Sequence, residues 1–506
     1  MLCLAVAPSC RAAVSRRLAL LFALVVPLVL RAAPVWADTA LGLDACLRLV
    51  VAKNPDAAAA AIDARLGELA THAAEHRYGL TLSGGPELHR SVRPTAETVV
   101  SGGVTQLQEL DQSYQASLRK ALATGGSLTL SLDQEVADTN SRGVTINPAF
   151  TPTARLGFEQ PLLRGLLAGY QERDAALLAQ RRDRARARER LEQLVGQAED
   201  AYWQLHAARR GVAVREQALG LVKKLVHIDE EKAKAGLVAK LDVLQARASL
   251  AVRESELLGA RRDVARARDH LRALIDPALA ETAWDEELVP ADEPVYKPRT
   301  VVFAAAWAVA LDHRADLVAA AADRARARIA AEQAERRAWP KLDLQTGAGV
   351  TNLAADPTRA LAGLQTLQNY DLRAGLALEV PLGPQAERDE ALRARLQEQQ
   401  AELAERATRQ RAYADVRDAV RDVQVEQQRV AATRLARELA GQKLDAEQAK
   451  LAAGLSTNFE VLQFQGDFQQ ASLAEVEATI AFVQASSRLE RAQGTLLVAR
   501  GLLPAS

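Results

Sequence analysis

The segment Ala-Gly-Leu-Val-Ala-Lys-Leu-Asp-Val-Leu-Gln at residues 235–245 recurs as Ala-Gly-Leu-Ser-Thr-Asn-Phe-Glu-Val-Leu-Gln at residues 453–463. Each copy separates two long stretches rich in Ala, Leu, Arg, Glu and Gln, which are strong helix formers. Glycine tolerates the positive φ of a tight reversal. The repeated segment therefore predicts two long helical hairpins that turn back at Gly236 and Gly454.

The duplication extends to both sides of these turns. Glu-Gln-Pro-Leu at 159–162 resembles Glu-Val-Pro-Leu at 379–382, and the region of Asn54 resembles that of Arg314. Each half thus reads as a helix, strands, a long helix, a glycine turn and a helix, and a proline-rich segment joins the halves. We expect a signal peptide at 1–37, a first repeat at 38–275 with strands within 80–161, a linker at 276–300, a second repeat at 301–498 with strands within 342–381, and a tail at 499–506.

The predicted helices carry a seven-residue apolar repeat, which keeps one seam of a helix facing a partner through supercoiling. Coiled-coil packing of the helices is therefore predicted. The repeats are Leu191, Ala198, Leu205, Val212, Leu219 and Val226; Leu250, Leu257, Val264 and Leu271; Val416, Val423, Val430, Leu444 and Leu451; and Val461, Phe468, Phe482, Leu489 and Leu496.

Short segments between the helices alternate apolar and polar residues, which predicts strands of a two-faced sheet. They are Leu128–Asp133, Ala154–Glu159, Leu372–Val380 and the start at Leu342–Gln345. An outer-membrane barrel and a soluble β-subdomain both fit this alternation. We count four principal strands, which enter near Leu80 and Leu342 and leave near Pro161 and Pro381. The residues from Tyr114 to Asp133 fit an extra hairpin or an external loop.

The beginning of the sequence predicts export. Arg16 and Arg17 precede an apolar run at 18–30, and small residues at 35 and 37 predict a signal peptide cleaved after Ala37. No later stretch has about 18 consecutive apolar residues. Cys46 alone lies beyond the leader, and we expect it within a helix.

Composition and motifs argue against nucleic acid and against catalysis. The chain has 64 basic and 64 acidic residues, interleaved along the helices, which is untypical of a nucleic-acid-binding protein. His72 and His76 have the spacing of a zinc motif, but they end an alanine-rich helix and lack a third ligand. Ser117 and Lys120 match only the start of a penicillin-binding signature. We expect no enzyme activity, cofactor or metal site.

In the order and duplication of these motifs, residues 40–498 resemble the TolC-type outer-membrane efflux family. The resemblance implies a mainly α fold with a small β part: duplicated helical hairpins form a periplasmic α-barrel, and three chains pool strands into a trimeric 12-stranded outer-membrane β-barrel. It implies an exit duct in the outer membrane of a Gram-negative bacterium, serving a tripartite efflux or type I secretion system. The expected partners are two further copies, a periplasmic adaptor (membrane fusion) protein, an inner-membrane pump and outer-membrane lipid.

The same resemblance places the gate and the adaptor contact. It implies that Asp242 and Glu460 lie at the periplasmic aperture, with Glu460 at an acidic constriction. Leu451 and Ser456 replace the family's aromatic and arginine gate residues, so Asp242 would need another partner, such as Lys240 or Lys450. The adaptor would contact the hairpin turns at Gly236, Leu237, Gly454 and Leu455.

Two other classes of protein share some of these features. A periplasmic adaptor would have a leader and heptads, but normally one hairpin flanked by β-rich domains. A structural periplasmic coiled coil would have no use for the strands. The sequence leaves the identity of the exported substrate open.

Overall fold

The computed structural model describes residues 40–94, 104–236, 239–276, 287–453 and 455–503. The predicted signal peptide at 1–37 lies outside the described residues. The division into repeats, linker and tail stays a prediction. In chain order the elements are β1 (Ala40–Leu41), α1 (Leu43–Lys53), α2 (Pro55–His76), β2 (Leu80–Pro94), β3 (Gln106–Ala121), β4 (Ser127–Thr139), β5 (Ala149–Pro161), α3 (Ala168–Lys234), α4 (Lys240–Ile275), β6 (Val289–Pro290), α5 (Phe303–His313), α6 (Ala315–Arg337), β7 (Lys341–Thr351), α7 (Pro357–Gly363), a 3-10 turn (Leu364–Thr366), β8 (Tyr370–Glu379), α8 (Gln385–Ala452), α9 (Asn458–Ala492) and α10 (Leu496–Ala499).

Two very long helices dominate the fold. α3 has 67 residues and α8 has 68, so each is about 100 Å long at 1.5 Å per residue. α4 packs back along α3, and α9 packs back along α8. The mainly α fold with two helical hairpins is therefore confirmed.

Shorter helices complete each rod by stacking end to end. The side chain of Asn54 accepts a 2.8 Å hydrogen bond from the backbone of Asp56 and so caps α2. Its amide nitrogen donates to the carbonyl of Leu274, 2.8 Å away in the last turn of α4. In the second half, Arg314 precedes α6 and donates to the carbonyl of Ala492 at the end of α9, 3.1 Å away. In each half, a short helix thus meets the end of the shorter arm of the hairpin.

The main apolar core lies where the helices of both halves meet midway along the rods. Tyr202 and Trp203 of α3 pack there with α1, the end of α4 and Ile480 of α9. The Tyr202 hydroxyl donates to the carbonyl of Leu41 at 3.0 Å, and burial raises its pKa to about 12. Cys46 lies in α1 as predicted; it is buried, and burial raises the pKa of its thiol to about 12.

The strands form one antiparallel sheet in the order β2-β3-β4-β5-β7-β8. The predicted segments at 128–133, 154–159 and 342–345 lie in β4, β5 and β7, and β8 covers the fourth up to Glu379. The count of four principal strands per chain differs from the structure, whose sheet has six strands among the described residues. The additional pair is β3 and β4, so the region around Tyr114–Asp133 is a hairpin within the sheet and not an external loop.

A small parallel pair, β1 and β6, ties the beginning of the first half to the segment before α5. Among the described residues, no helix combines the length and the apolar character needed to cross a membrane.

Candidate gate at the hairpin tips

The first hairpin reverses at Gly236, just after α3 ends. Gly236 has φ +73°, the left-handed conformation that glycine adopts without strain, and its amide donates to the carbonyl of Ala233 at 3.1 Å. A Cβ atom there would meet open space. Leu237 lies outside the described residues. α4 resumes at Lys240, so Gly236 permits the reversal between the two helices.

The second hairpin reverses between the end of α8 at Ala452 and the start of α9 at Asn458. Gly454 lies outside the described residues. The amide of Leu455 donates to the carbonyl of Lys450 at 2.9 Å, which closes the C-terminal end of α8. α9 then begins at Asn458, and Thr457 is its N-cap residue.

Glu460 closes a capping box at the start of α9. The Thr457 side chain accepts from the amide of Glu460, and the Thr457 amide donates to Glu460 Oε2 at 3.1 Å. The hydroxyls of Ser456 and Thr457 donate to the same oxygen at 2.9 and 3.2 Å. These donors, the Thr457 amide first, lower the pKa of Glu460. The carboxylate is therefore held ionised at the helix N-terminus, where negative charge is favoured.

Ser456 links this cap to the end of α8. Its hydroxyl makes a short hydrogen bond to Glu447, and the Lys450 ammonium lies 3.1 Å from the other Glu447 oxygen. These contacts, that of Ser456 first, lower the pKa of Glu447. Within one chain Lys450 is therefore paired with Glu447, and not with Asp242 as the sequence suggested.

Asp242 lies half-buried in the first turn of α4, near a buried carboxyl group on α3. That group is Asp229, whose side chain is 1% exposed. Burial raises the pKa of Asp229, and the nearby charge of Asp242 raises it further. A hydrogen bond from Asn458 of the second hairpin and the charge of Lys232 lower the pKa and offset part of this rise. Asp242 and Asp229 thus form an acidic pair on the first hairpin, and Asn458 of the second hairpin lies beside Asp229.

The two tips are held together by apolar packing just behind this acidic pair. Val222 and Val226 of α3 and Ala246 of α4 form a buried cluster, against which Leu462 of α9 packs. Asp242 and Glu460, the predicted gate residues, therefore lie on different hairpins, each near the apolar cluster through which the two tips pack.

Sequence reasoning missed Asp229 and Glu447. They are 218 positions apart, the same offset as the repeated turns, so they are equivalent residues of the two halves. Each follows a heptad residue, Val226 or Leu444, by three positions, where a coiled coil normally places an apolar residue. An acidic residue at that position in both halves was the available signal.

The motif histidines do not form a site. His72 and His76 are exposed on α2. In the described parts of the chain, no group of three or more His, Cys, Asp and Glu side chains is arranged to hold a metal ion.

Comparisons with known proteins concern the sequence pattern of residues 308–495 and the fold of the chain. Residues 308–495 match the family described as outer membrane efflux protein. The chain is similar to the CmeC outer membrane channel of Campylobacter jejuni, with a TM-score of 0.65, 12% identity and coverage of 90% of this chain and 86% of CmeC. It is also similar to the outer membrane protein VceC of Vibrio cholerae, with a TM-score of 0.62, 19% identity and coverage of 89% of this chain and 96% of VceC.

A third similar structure is the open state of the MtrE outer membrane channel of Neisseria gonorrhoeae, with a TM-score of 0.62, 15% identity and coverage of 90% of this chain and 89% of MtrE. No curated protein matched the sequence. Residues 308–495 therefore carry the sequence pattern of the outer membrane efflux protein family, and the chain as a whole has the fold of these outer membrane channels.

Proposed function

We propose that the protein is the outer-membrane exit duct of a tripartite efflux or type I secretion system. Three copies form a passive conduit, which a periplasmic adaptor and an inner-membrane pump open at the hairpin tips. The observation that carries this proposal is the combination of a two-faced sheet at one end with paired rods about 100 Å long at the other.

The sheet has the faces that a lipid-embedded channel wall needs. Along β8, Tyr370, Leu372, Leu376 and Leu378 alternate with Asp371, Arg373 and Glu379. An apolar face suits lipid and a polar face suits a water-filled lumen. The sheet of one chain is open at both edges, and unpaired strand edges are not tolerated in lipid. Pooling strands from several chains answers this need, and the family resemblance favours a trimer.

The tips offer a surface for an adaptor. Leu241, Leu244, Leu455 and Phe459 have between 58% and 79% of their surface exposed. Apolar patches of this kind at the end of a rod are typical of protein contacts. Gly236 and Leu455 lie at the same ends of the hairpins, which supports an adaptor contact at the proposed turns of Gly236, Leu237, Gly454 and Leu455.

Asp242 and Glu460 are proposed as gate residues within the tips. Three Glu460 carboxylates around the trimer axis would favour cations over anions in the closed duct. Asp242, next to buried Asp229, would hold neighbouring helices through polar contacts. Opening then requires the second hairpin to move relative to the first.

Single-channel recording tests the gate. Glu460→Gln should reduce cation selectivity, and it should leave α9 folded because glutamine also serves in a capping box. Asp242→Ala should raise the closed-state conductance. Asp263→Ala is the control, because Asp263 is an exposed residue of α4 whose carboxylate forms a surface ion pair with its neighbour Arg262. If selectivity and conductance match the wild type in both gate variants, the gate lies elsewhere.

A further inference from the structure

We infer that the β3–β4 hairpin is part of the membrane-embedded wall, so that three copies close a barrel of 18 strands. This inference rests on the proposed trimeric channel. It assigns one occupant to each open sheet edge: β8 of one copy pairs with β2 of the next.

The hairpin is joined to the sheet without a break. β3 pairs with β2 from Pro94↔Gln106 to Leu80↔Lys120, and β4 pairs with β3 over 13 consecutive residues. β5 then continues the sheet from β4. A loop packed outside a four-stranded sheet would leave β2 beside β5, whereas here two full strands separate them.

In the half nearest its turn, the hairpin also carries the same two faces as the other strands. One register row across all six strands is apolar: Leu82, Leu118, Leu130, Leu156, Ala348 and Leu372. The next row has polar or charged side chains in all strands but one: Ser83, Ser117, Ser131, Arg155, Gly349 and Asp371. A hairpin that projects into water has no reason to continue the apolar row. A hairpin in the wall must continue it, because that row contacts lipid.

The turn of the hairpin is anchored at the junction between the sheet and the rods. The Thr124 carbonyl accepts from the amide of Leu167, just before α3, at 2.9 Å. The side-chain amide of Gln160 donates to the same carbonyl at 3.1 Å, and its oxygen accepts from the Thr124 hydroxyl at 2.7 Å. The turn is therefore built into the periplasmic end of the sheet, where β5 leads into α3.

The strand number is compatible with closure by copies of this chain. The sheet has six strands, all antiparallel to their neighbours, so its edge strands β2 and β8 run in opposite directions. β8 can therefore extend the antiparallel pattern onto β2 of a second copy. Three sheets of six strands make 18 strands. Since barrel diameter grows roughly linearly with strand number, the lumen would be about half as wide again as that of 12 strands.

Quenching of a bimane fluorophore on single cysteines tests where the hairpin lies. The label is placed at Leu118→Cys and Leu130→Cys on the apolar row, and at Ser117→Cys and Ser131→Cys on the polar row. Trimers are reconstituted in dibromophosphatidylcholine vesicles, with aqueous iodide as the second quencher. The wild-type protein, whose Cys46 is buried, is the labelling blank.

We expect bromolipid to quench the label at 118 and 130, and iodide to quench it at 117 and 131. Quenching by iodide alone at all four positions would overturn the inference. The label at Leu372→Cys on β8 distinguishes failure of the hairpin assignment from failure of the proposed channel. If bromolipid quenches position 372 but none of the hairpin positions, only the inference fails; if position 372 is also unquenched, the proposed channel fails.

Oxidative cross-linking tests the closure. Leu82→Cys on β2 is combined in turn with Leu372→Cys, Ala374→Cys, Leu376→Cys and Leu378→Cys on β8, all on the same face. At least one pair should give cross-linked oligomers on a denaturing gel. Leu118→Cys with the same β8 partners is the control and should give none, because β3 lies inside the sheet. Absence of cross-links in every β2–β8 pair of a membrane-bound trimer would overturn the closure.

Discussion

A Cβ atom on Gly125 would lie 2.2 Å from the carbonyl oxygen of Gly165. Gly125 lies in the β3–β4 turn, and Gly165 lies where β5 leads into α3. The close approach joins the additional hairpin to the first rod. The junction between the sheet and the long helix α3 thus includes the turn of the β3–β4 hairpin.

Replacing Gly125 should weaken this junction. Gly125→Ala forces a contact with Gly165 and also strains a residue at φ +91°, which together should cost about 1–3 kcal/mol. The temperature at which trimers dissociate on a gel should fall. Gly85→Ala in β2, where a Cβ meets open space, is the matched control. Equal dissociation temperatures for both variants would contradict the anchoring role of the turn.

The ion pair of Glu199 and Arg500 should fasten the C-terminal helix to α3. Glu199 is 1% exposed and accepts two hydrogen bonds from Arg500, at 2.8 and 3.1 Å. Arg500→Met leaves the buried carboxylate without this cation, which should cost about 3–5 kcal/mol. Thermal unfolding followed by circular dichroism measures the loss.

Arg262→Met is the control for that measurement. Arg262 pairs with Asp263 on the exposed side of α4, and removal of a surface pair should cost no more than about 1 kcal/mol. A similar destabilisation in both variants would mean that burial of Glu199 has no special consequence.

Gly236 should be needed for export and not for assembly. Gly236→Val meets no neighbour, but it strains a residue at φ +73° by about 1–2 kcal/mol and so distorts the proposed adaptor contact. Export should fail while trimers persist in the outer-membrane fraction. Gly220→Val within α3, also facing open space, should export normally. Normal export by Gly236→Val would refute the assignment of the tip.

The tip of the first hairpin, around Asp229, should become more stable as pH falls below neutral towards the raised pKa of that carboxyl group. Burial raises the pKa of Asp229, so the folded state binds a proton more tightly than the unfolded state, and stability rises as pH falls towards the raised pKa. Hydrogen exchange at residues 222–236, corrected for its intrinsic pH dependence, should slow at pH 5. Asp229→Asn should abolish the change, and Asp445→Asn, at an exposed site on α8, should not. A pH response that survives in Asp229→Asn would assign it to another group.

Much of the fold could be predicted because its periodicities are strong. The long helices follow from composition and heptads, and β4, β5, β7 and β8 follow from clean alternation. β3 escaped prediction because its first half, Gln106 to Gln112, places Leu107 on the polar face and glutamines on the apolar face. Only pairing with β2 and β4 assigns it to the sheet.

The candidate site was predicted less completely. The resemblance to the efflux family pointed to Asp242 and Glu460, yet the capping role of Glu460 depends on Ser456 and Thr457, whose side-chain directions sequence does not specify. Asp229 and Glu447 interrupt apolar seams. Their burial is visible only once the hairpins are packed together.

Cryo-electron microscopy of the full-length protein in lipid nanodiscs tests the central claim most directly. The account predicts a threefold particle with a continuous lumen, walled by 18 strands within the lipid and by the α3–α4 and α8–α9 hairpins below it. A closed wall of 12 strands with β3 and β4 outside the lipid would contradict the strand assignment. A helical bundle without a lumen would contradict the channel itself.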